Sequence, residues 1–525
     1  MMMKNLFIPF LSLFNTPKSV QGVLALSVIL FLLRLVYVSF GPVDLSPDEA
    51  HYWEWSRYLD WSYYSKPPIT AWLNYVSTSI FGHTHLGVRF FSCMAISILG
   101  FLAFLMARQV AGKQAGWIAF VLIHLTPLFA AGGLMMTPDI PSLTFWALAL
   151  YVLMQIDFTA EKLPLKLFVF LGVVVGLAGL SKYTAAIFYP LLGVYLLMNK
   201  ERRVWLLKPH VYIAGLVSLV MQLPVFYWNF THDFVGFQHV LGQNAATSRY
   251  FGWKSLSNFL EGQAGVLTPI TFILLLCAWV SIGFMLYKGK HKKDLNSALE
   301  VLWLFSFPLF MAFLLKSTTA KVQPNWPVMS IFPGFVILAI WVAMKGKVVK
   351  GIFAFGMFLS LLITIIAHDT FIVRDVLKFV GSDIEIPFKK DPLKPALGWR
   401  GLGQAVSALA ESQVGDDYYV LTTRYQTASS MSFYMKGHPR VLYVNLGHRR
   451  QNQYDYWPWP DDIDKKPVIY VRENGTIELQ VLKAFKGCAE LGQVVSRRET
   501  IVMRRAHVYA CFGYEGIERI KADSY

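Results

Sequence analysis

Runs of about twenty largely apolar residues recur between residues 20 and 367, and nothing else in the chain restricts its fold so strongly. A backbone inside lipid finds no water to bond, so each run is confined to a helix that satisfies its own N–H and C=O groups. This criterion places about eleven spans near residues 20–40, 87–107, 114–132, 139–156, 166–180, 182–198, 210–228, 266–287, 299–315, 327–344 and 350–367. Of the 525 residues, 55% are hydrophobic and 15% aromatic, and mean hydropathy is +0.45, too apolar for a soluble enzyme. The net charge of +16 does not point to nucleic acid, because most of the basic excess lies in short clusters between apolar runs.

Those clusters fix an orientation, since Lys and Arg gather on the cytoplasmic connections of a membrane protein. With the N-terminus inside, the cytoplasmic turns carry Arg108 and Lys113, then Lys162 and Lys166, then Lys200, Arg202, Arg203 and Lys208. Lys288, Lys290, Lys292 and Lys293 follow, then Lys345, Lys347 and Lys350. Lys4 and Lys18 precede the first apolar run and no small-residue cleavage pattern follows it, so a retained first span is expected. An odd number of spans leaves residues 369–525 outside, in the periplasm of a Gram-negative cell. The expected division is a membrane domain, 1–368, with outer loops 41–86 and 229–265, and a C-terminal periplasmic α/β domain, 369–525. Strand-like runs at Tyr418–Thr423, Arg440–Leu446 and Pro467–Glu473, with the helical pattern "TASSMSFYM" between the first two, support that domain. Cys488 and Cys511 lie in this exported part, where a disulfide is chemically permitted, although spacing does not fix its geometry. Cys93 and Cys277 lie in apolar runs and read as inert small hydrophobes.

The polar residues that are odd for a membrane protein then fall on the outer face. The first outer loop carries Asp48, Glu49, His51, Glu54, Arg57, Asp60 and Lys66. Later outer turns present Asp139 in "TPDIP", Lys182 in "LSKY", and Lys316, Lys321 and Asn325 in "KSTTAKVQPNWP". Each has a plain alternative: a loop carboxylate is usually solvated, Asp139 can cap the helix after it, and Lys182 can snorkel at a helix end. His232 and His239 read first as packing or surface histidines and second as metal ligands. Acids and lysines from separate turns meeting at one membrane level suit attack by a hydroxyl on a sugar carbon whose leaving group is a phosphate. A lipid-borne donor explains why that chemistry sits at headgroup level.

"PDEAHYWEWSRYL", "YYSKPPITAWL", "GVRFFS", "TPDIPSLTFW" and "GLSKYTAAIFYP", within residues 20–330, together resemble the GT-C membrane glycosyltransferases. The resemblance is to the bacterial branch related to protein O-mannosyltransferases and lipid A aminoarabinose transferases. It implies a polytopic α-helical fold with a soluble domain after the spans. It further implies inverting transfer of a sugar from a polyprenyl-phosphate donor, on the outer leaflet, to a lipid or glycan acceptor. Lipid A or the lipopolysaccharide core is the favoured acceptor and protein an alternative. By position in the motifs, Asp48, Glu49 and Asp139 match the family's catalytic acids, and Lys66 and Lys182 its phosphate-contacting lysines, with Arg57 a further candidate for the phosphate. The chain departs from the aminoarabinose transferases at His51 and Ser65, which replace an arginine and a glutamate. It departs again at Gln243 and Asn244, near where those relatives carry a metal-associated histidine. No cofactor is called for on these grounds, and a divalent metal remains an alternative. A polyprenyl-sugar flippase is the rival reading; it requires ionisable groups or broken helices near the midplane of several spans. A noncatalytic scaffold leaves the loop motifs without a role.

Overall fold

The computed structural model describes residues 18–244, 252–289, 293–382, 384, 386–447 and 451–517; Lys4, Arg249, Lys290 and Lys292 lie outside them, as do the side chains of Gln243, Asn244 and Lys293. Lys18–Phe40 (α1) runs along the bundle exterior, where Val28, Ile29, Leu32, Leu33 and Val36 are exposed, the surface expected of a lipid-facing helix. Pro47–Arg57 (α2) and Ile69–Phe81 (α3) occupy the first outer loop. His85–Leu125 (α4) has 41 residues, which at about 1.5 Å per residue is twice a bilayer core. It breaks at Ala111 and Gly112, where Gly112 takes φ +81, and the chain turns back there beside Lys113. Asp139–Met154 (α5) and Leu165–Ser181 (α6) follow. Val328–Met344 (α7) is buried on nearly every side and packs on α4, so it lies at the bundle centre. Lys347–His368 (α8) precedes the C-terminal region.

Among the described residues, five helices are long and apolar enough to cross a membrane, or six if the pair Lys200–Leu207 and Pro209–Met221, bent by 59°, is one span. Shorter apolar helices supplement them: α5, α6, Tyr183–Leu197 and α7. The protein is therefore a multi-pass helical membrane protein.

Beyond α8 the fold changes to a five-stranded sheet in the order β2-β1-β3-β5-β4, formed by Tyr419–Thr422 (β1), Val441–Tyr443 (β2), Val468–Arg472 (β3), Phe485–Arg498 (β4) and Ile501–Tyr514 (β5). β1 is parallel to β2 and β3, whereas β5 is antiparallel to β3 and β4. The helices Trp399–Val414 (α9) and Tyr425–Tyr434 (α10) pack with this sheet. The long β4–β5 hairpin was not among the expected strands. Its solvent-side residues blur the alternation that marks a strand, as the burial pattern of β4 shows. Cys488 and Cys511 are cross-strand partners in that hairpin and form a disulfide.

The sheet domain is not a tethered appendage. Leu45, Ala50, Trp53, Val88 and Met136 belong to the same apolar cluster as Trp399, Val406, Val420, Met431 and Ile469. One continuous core thus joins the outer loops to the C-terminal domain.

Candidate active site

The segment Ser46–Arg57 folds as it does because "SPDE" is a capping box preceding an aromatic run. Ser46 Oγ accepts from the Glu49 amide at 3.3 Å, Glu49 Oε2 accepts from the Ser46 amide at 2.9 Å, and Pro47 takes the first helical position. Asp48 is consequently in the first turn of α2, where the helix dipole favours its charge.

Glu49 has a different task from its neighbour. It is 0% exposed, and both of its oxygens are fully engaged. Arg89 from α4 donates Nε to Oε1 and Nη2 to Oε2, each at 2.8 Å, and the Met136 amide donates to Oε1 at 3.1 Å. Burial alone would raise this carboxyl, but the Arg89 charge and these hydrogen bonds hold it below its ordinary value. Glu49 therefore ties α2, α4 and the second outer turn together and has no oxygen left for a substrate. The expectation that it shares the reaction chemistry gives way to a positioning role. The motif "SPDE" carried the signal for this.

Asp48, by contrast, is not saturated by protein partners. Its surface is exposed while protein surrounds it on most sides. This partial desolvation pushes its carboxyl up, against the Tyr425 hydroxyl, which donates to Oδ1 at 3.1 Å, and the Lys66 charge. Lys66 sits at the end of a turn closed by its own carbonyl, which accepts from the Tyr63 amide at 3.2 Å. Ser62 in that turn lies 3.5 Å from the Tyr183 hydroxyl, which links it to the turn carrying Lys182. Among the described residues no hydrogen bond or ion pair engages the Lys66 ammonium. Burial and the neighbouring Lys182 charge lower it to about 8, opposed by Asp139 and Asp48.

Asp139 does not cap α5, whose N-terminus has no side-chain cap. Its Oδ1 is 2.5 Å from Lys182 Nζ, and its Oδ2 accepts from Asn325 Nδ2 at 3.1 Å, so three outer turns meet on one carboxylate. Lys182 is here an ion-pair partner.

Asp48, Lys66, Asp139 and Lys182 are thus brought into one electrostatic neighbourhood, with the Tyr52 phenol also coupled to both acids. Arg57 is not brought there. It lies at the other end of α2, roughly 13 Å along the axis from Asp48. Its guanidinium stacks over Trp53 and donates to Ser432 Oγ at 3.1 Å. Glu54, a loop carboxylate for which solvation is the plain reading, is instead buried and bonded to the Tyr454 hydroxyl. His51 is buried between Tyr454 and Tyr425 and accepts from Trp55 Nε1 at 3.2 Å. His232 stacks on Trp228 and His239 packs on Tyr64. Among the described residues no three His, Cys, Asp or Glu side chains converge as a metal-ligand set.

Residues 65–228 match the family model of dolichyl-phosphate-mannose-protein mannosyltransferases. The lipid A galacturonosyltransferase RgtD of Rhizobium johnstonii is 29% identical over 406 residues, 76% of this chain and 79% of RgtD. The undecaprenyl phosphate-alpha-4-amino-4-deoxy-L-arabinose arabinosyl transferase of Yersinia pestis is 24% identical over 67% of this chain and 66% of its own length. In fold, the chain resembles ArnT from Cupriavidus metallidurans bound to undecaprenyl phosphate, with TM-score 0.63 and 16% identity over 93% of this chain and 98% of that one. The Archaeoglobus fulgidus oligosaccharyltransferase aligns with TM-score 0.51 and 14% identity over 81% and 64%. An apolar helical bundle with an acid and lysine cluster near a sheet domain is the arrangement shared with these membrane-embedded sugar transferases. In sequence and fold the chain is thus similar to the GT-C glycosyltransferases.

Proposed function

We propose that the protein transfers a sugar from a polyprenyl-phosphate donor to lipid A or the lipopolysaccharide core on the outer face of the inner membrane. The observation that carries this reading is the convergence of Asp48, Lys66, Asp139 and Lys182 from separate outer turns. RgtD, a lipid A galacturonosyltransferase, and the undecaprenyl-phosphate aminoarabinose transferases support the choice of donor and acceptor. The basic clusters support eleven crossings with a cytoplasmic N-terminus and a periplasmic C-terminal domain.

In this mechanism Lys66 and Lys182 face the donor phosphate, and Asp139, anchored by Asn325, fixes the Lys182 ammonium. Asp48 orients the acceptor oxygen on the opposite side of the sugar. That oxygen forms a bond to the anomeric carbon as the carbon–oxygen bond to phosphate breaks. The polyprenyl phosphate leaves with the electron pair, and the lysines stabilise its growing charge. When the acceptor is a hydroxyl, its proton passes to Asp48; when it is a phosphate, Asp48 only orients it. One displacement inverts the anomeric centre. Glu49 takes no part beyond holding Asp48 and the second outer turn in register.

Mass spectrometry of lipid A and core from a strain lacking the protein tests this. Loss of one sugar mass, restored by the wild-type protein, is expected. An unchanged lipid A and core profile would refute the acceptor assignment and favour transfer to protein.

A further inference from the structure

The C-terminal domain reaches the reaction centre itself. α10 lies against α2, fastened by Ser429 Oγ donating to the Pro47 carbonyl at 2.9 Å and by Arg57 donating to Ser432. One turn before Ser429, at the start of α10, the Tyr425 hydroxyl meets Asp48 Oδ1 at 3.1 Å, across 377 positions of sequence. Among the described residues no other side chain hydrogen-bonds Asp48. The Tyr425 ring packs 5.4 Å from the ring of His51, centroid to centroid. His51 is itself held by Tyr454 and Trp55, so the phenol has a fixed mount.

An exposed carboxylate has a broad, nearly two-fold terminal torsion and no intrinsic reason to present one oxygen to an acceptor. A phenol O–H to a carboxylate is a charge-assisted bond, stronger than a neutral one, and removes that freedom. We infer that Tyr425 is a positioning residue of the transfer reaction, supplied by the C-terminal domain, which occupies one oxygen of Asp48 and leaves the other for the acceptor. This rests on the reading of Asp48 as the acceptor-side carboxylate.

The groups facing Asp48 set the consequence for pH. Glu49 and Tyr52 come from its own helix, Lys66 from the first-loop turn and Tyr425 from α10, with Asp139 coupled through Tyr52. Burial and the Asp48 charge hold the Tyr425 phenol well above its ordinary value, so it stays a donor throughout the working range. Its hydrogen bond favours the ionised form of Asp48, and losing it raises the Asp48 carboxyl further.

The test compares wild-type, Tyr425→Phe and Ser429→Ala full-length proteins in liposomes. Polyprenyl-phosphate-linked galacturonic acid and 4-amino-4-deoxyarabinose serve as donors, with lipid A from the deletion strain as acceptor. Tyr425→Phe keeps the ring on His51 and removes only the hydroxyl. It is expected to lower kcat about tenfold with donor KM unchanged, and to move the acid limb of kcat/KM to higher pH. Ser429→Ala loosens the same helix contact without touching Asp48 and is expected to leave the pH profile in place. A wild-type kcat and pH profile in Tyr425→Phe would overturn the inference. So would the same loss and the same pH shift in Ser429→Ala, which would mark a loosened interface. Absence of transfer by the wild-type protein would instead remove the functional reading beneath the inference.

Discussion

The Lys182 ammonium lies 2.5 Å from the Asp139 carboxylate, closing a contact between two outer turns 43 residues apart in sequence. With Lys182 facing the donor phosphate as proposed, this ion pair has a use that a free lysine lacks. Its carboxylate holds the ammonium at one place before the donor arrives, so little ordering is left to the transition state.

The two side chains should therefore behave as a unit. Lys182→Ala and Asp139→Ala are each expected to lower kcat/KM by about 10²-fold, and the double variant to lose little more than either single one. A double-mutant cycle of transfer rates measures this, and fully additive losses would separate their roles.

Glu49 and its neighbour Asp48 should fail in opposite ways. Glu49→Gln leaves the Arg89 charge buried without its partner, a change that costs about 3–5 kcal/mol in comparable buried pairs. Thermal unfolding in detergent should show a lower Tm and a reduced folded yield. Asp48→Asn, at an exposed position, should keep the wild-type Tm.

With Lys66 facing the donor phosphate as proposed, the enzyme should show an alkaline limb. Its ammonium, lowered to about 8 by burial and by Lys182, is charged below that pH and neutral above it. Phosphate attraction is therefore present at pH 7 and lost as pH rises through about 8. kcat/KM should fall above pH 8 in the wild type, whereas Lys66→Arg, which stays charged, should flatten that limb while retaining part of the activity. A wild-type limb at unchanged pH in Lys66→Arg would assign the limb to another group.

Glu54 makes the contact between α2 and the C-terminal domain sensitive to pH. Burial raises its carboxyl to about 7, against the Tyr454 hydrogen bond and the Arg57 charge. The folded state then holds a proton that the unfolded chain releases from about pH 4.5 upward. Stability from this group is full below that value and is lost as pH rises through about 7. Glu54→Gln should flatten the Tm-versus-pH curve in that window; an unchanged slope would count against a protonated Glu54.

Much of the site was legible because its parts lie in compact local motifs. "TPDIP" and "LSKY" present Asp139 and Lys182 in short turns between apolar helices, and the topology brings both to one face. The capping box Ser46–Glu49 was also present in the sequence, but its meaning changed once Arg89 of "GVRFFS" was seen to saturate the carboxylate. Neither segment alone announces that pairing. Tyr425 was harder to find, because its relation to Asp48 depends on how α10 docks on α2 through a shared apolar core. The misplacement of Arg57 has a simple cause: sequence proximity to Asp48 does not determine the direction a residue takes at the far end of a helix.

The central claim is that Asp48 stands at the reaction centre of a polyprenyl-phosphate-dependent transfer. It is tested most directly by following sugar transfer to lipid A in liposomes containing the wild-type or the Asp48→Asn protein, each first matched for Tm. The account predicts transfer with release of polyprenyl phosphate by the wild type and at least a 10²-fold loss in the variant. Near-wild-type transfer by Asp48→Asn would contradict it.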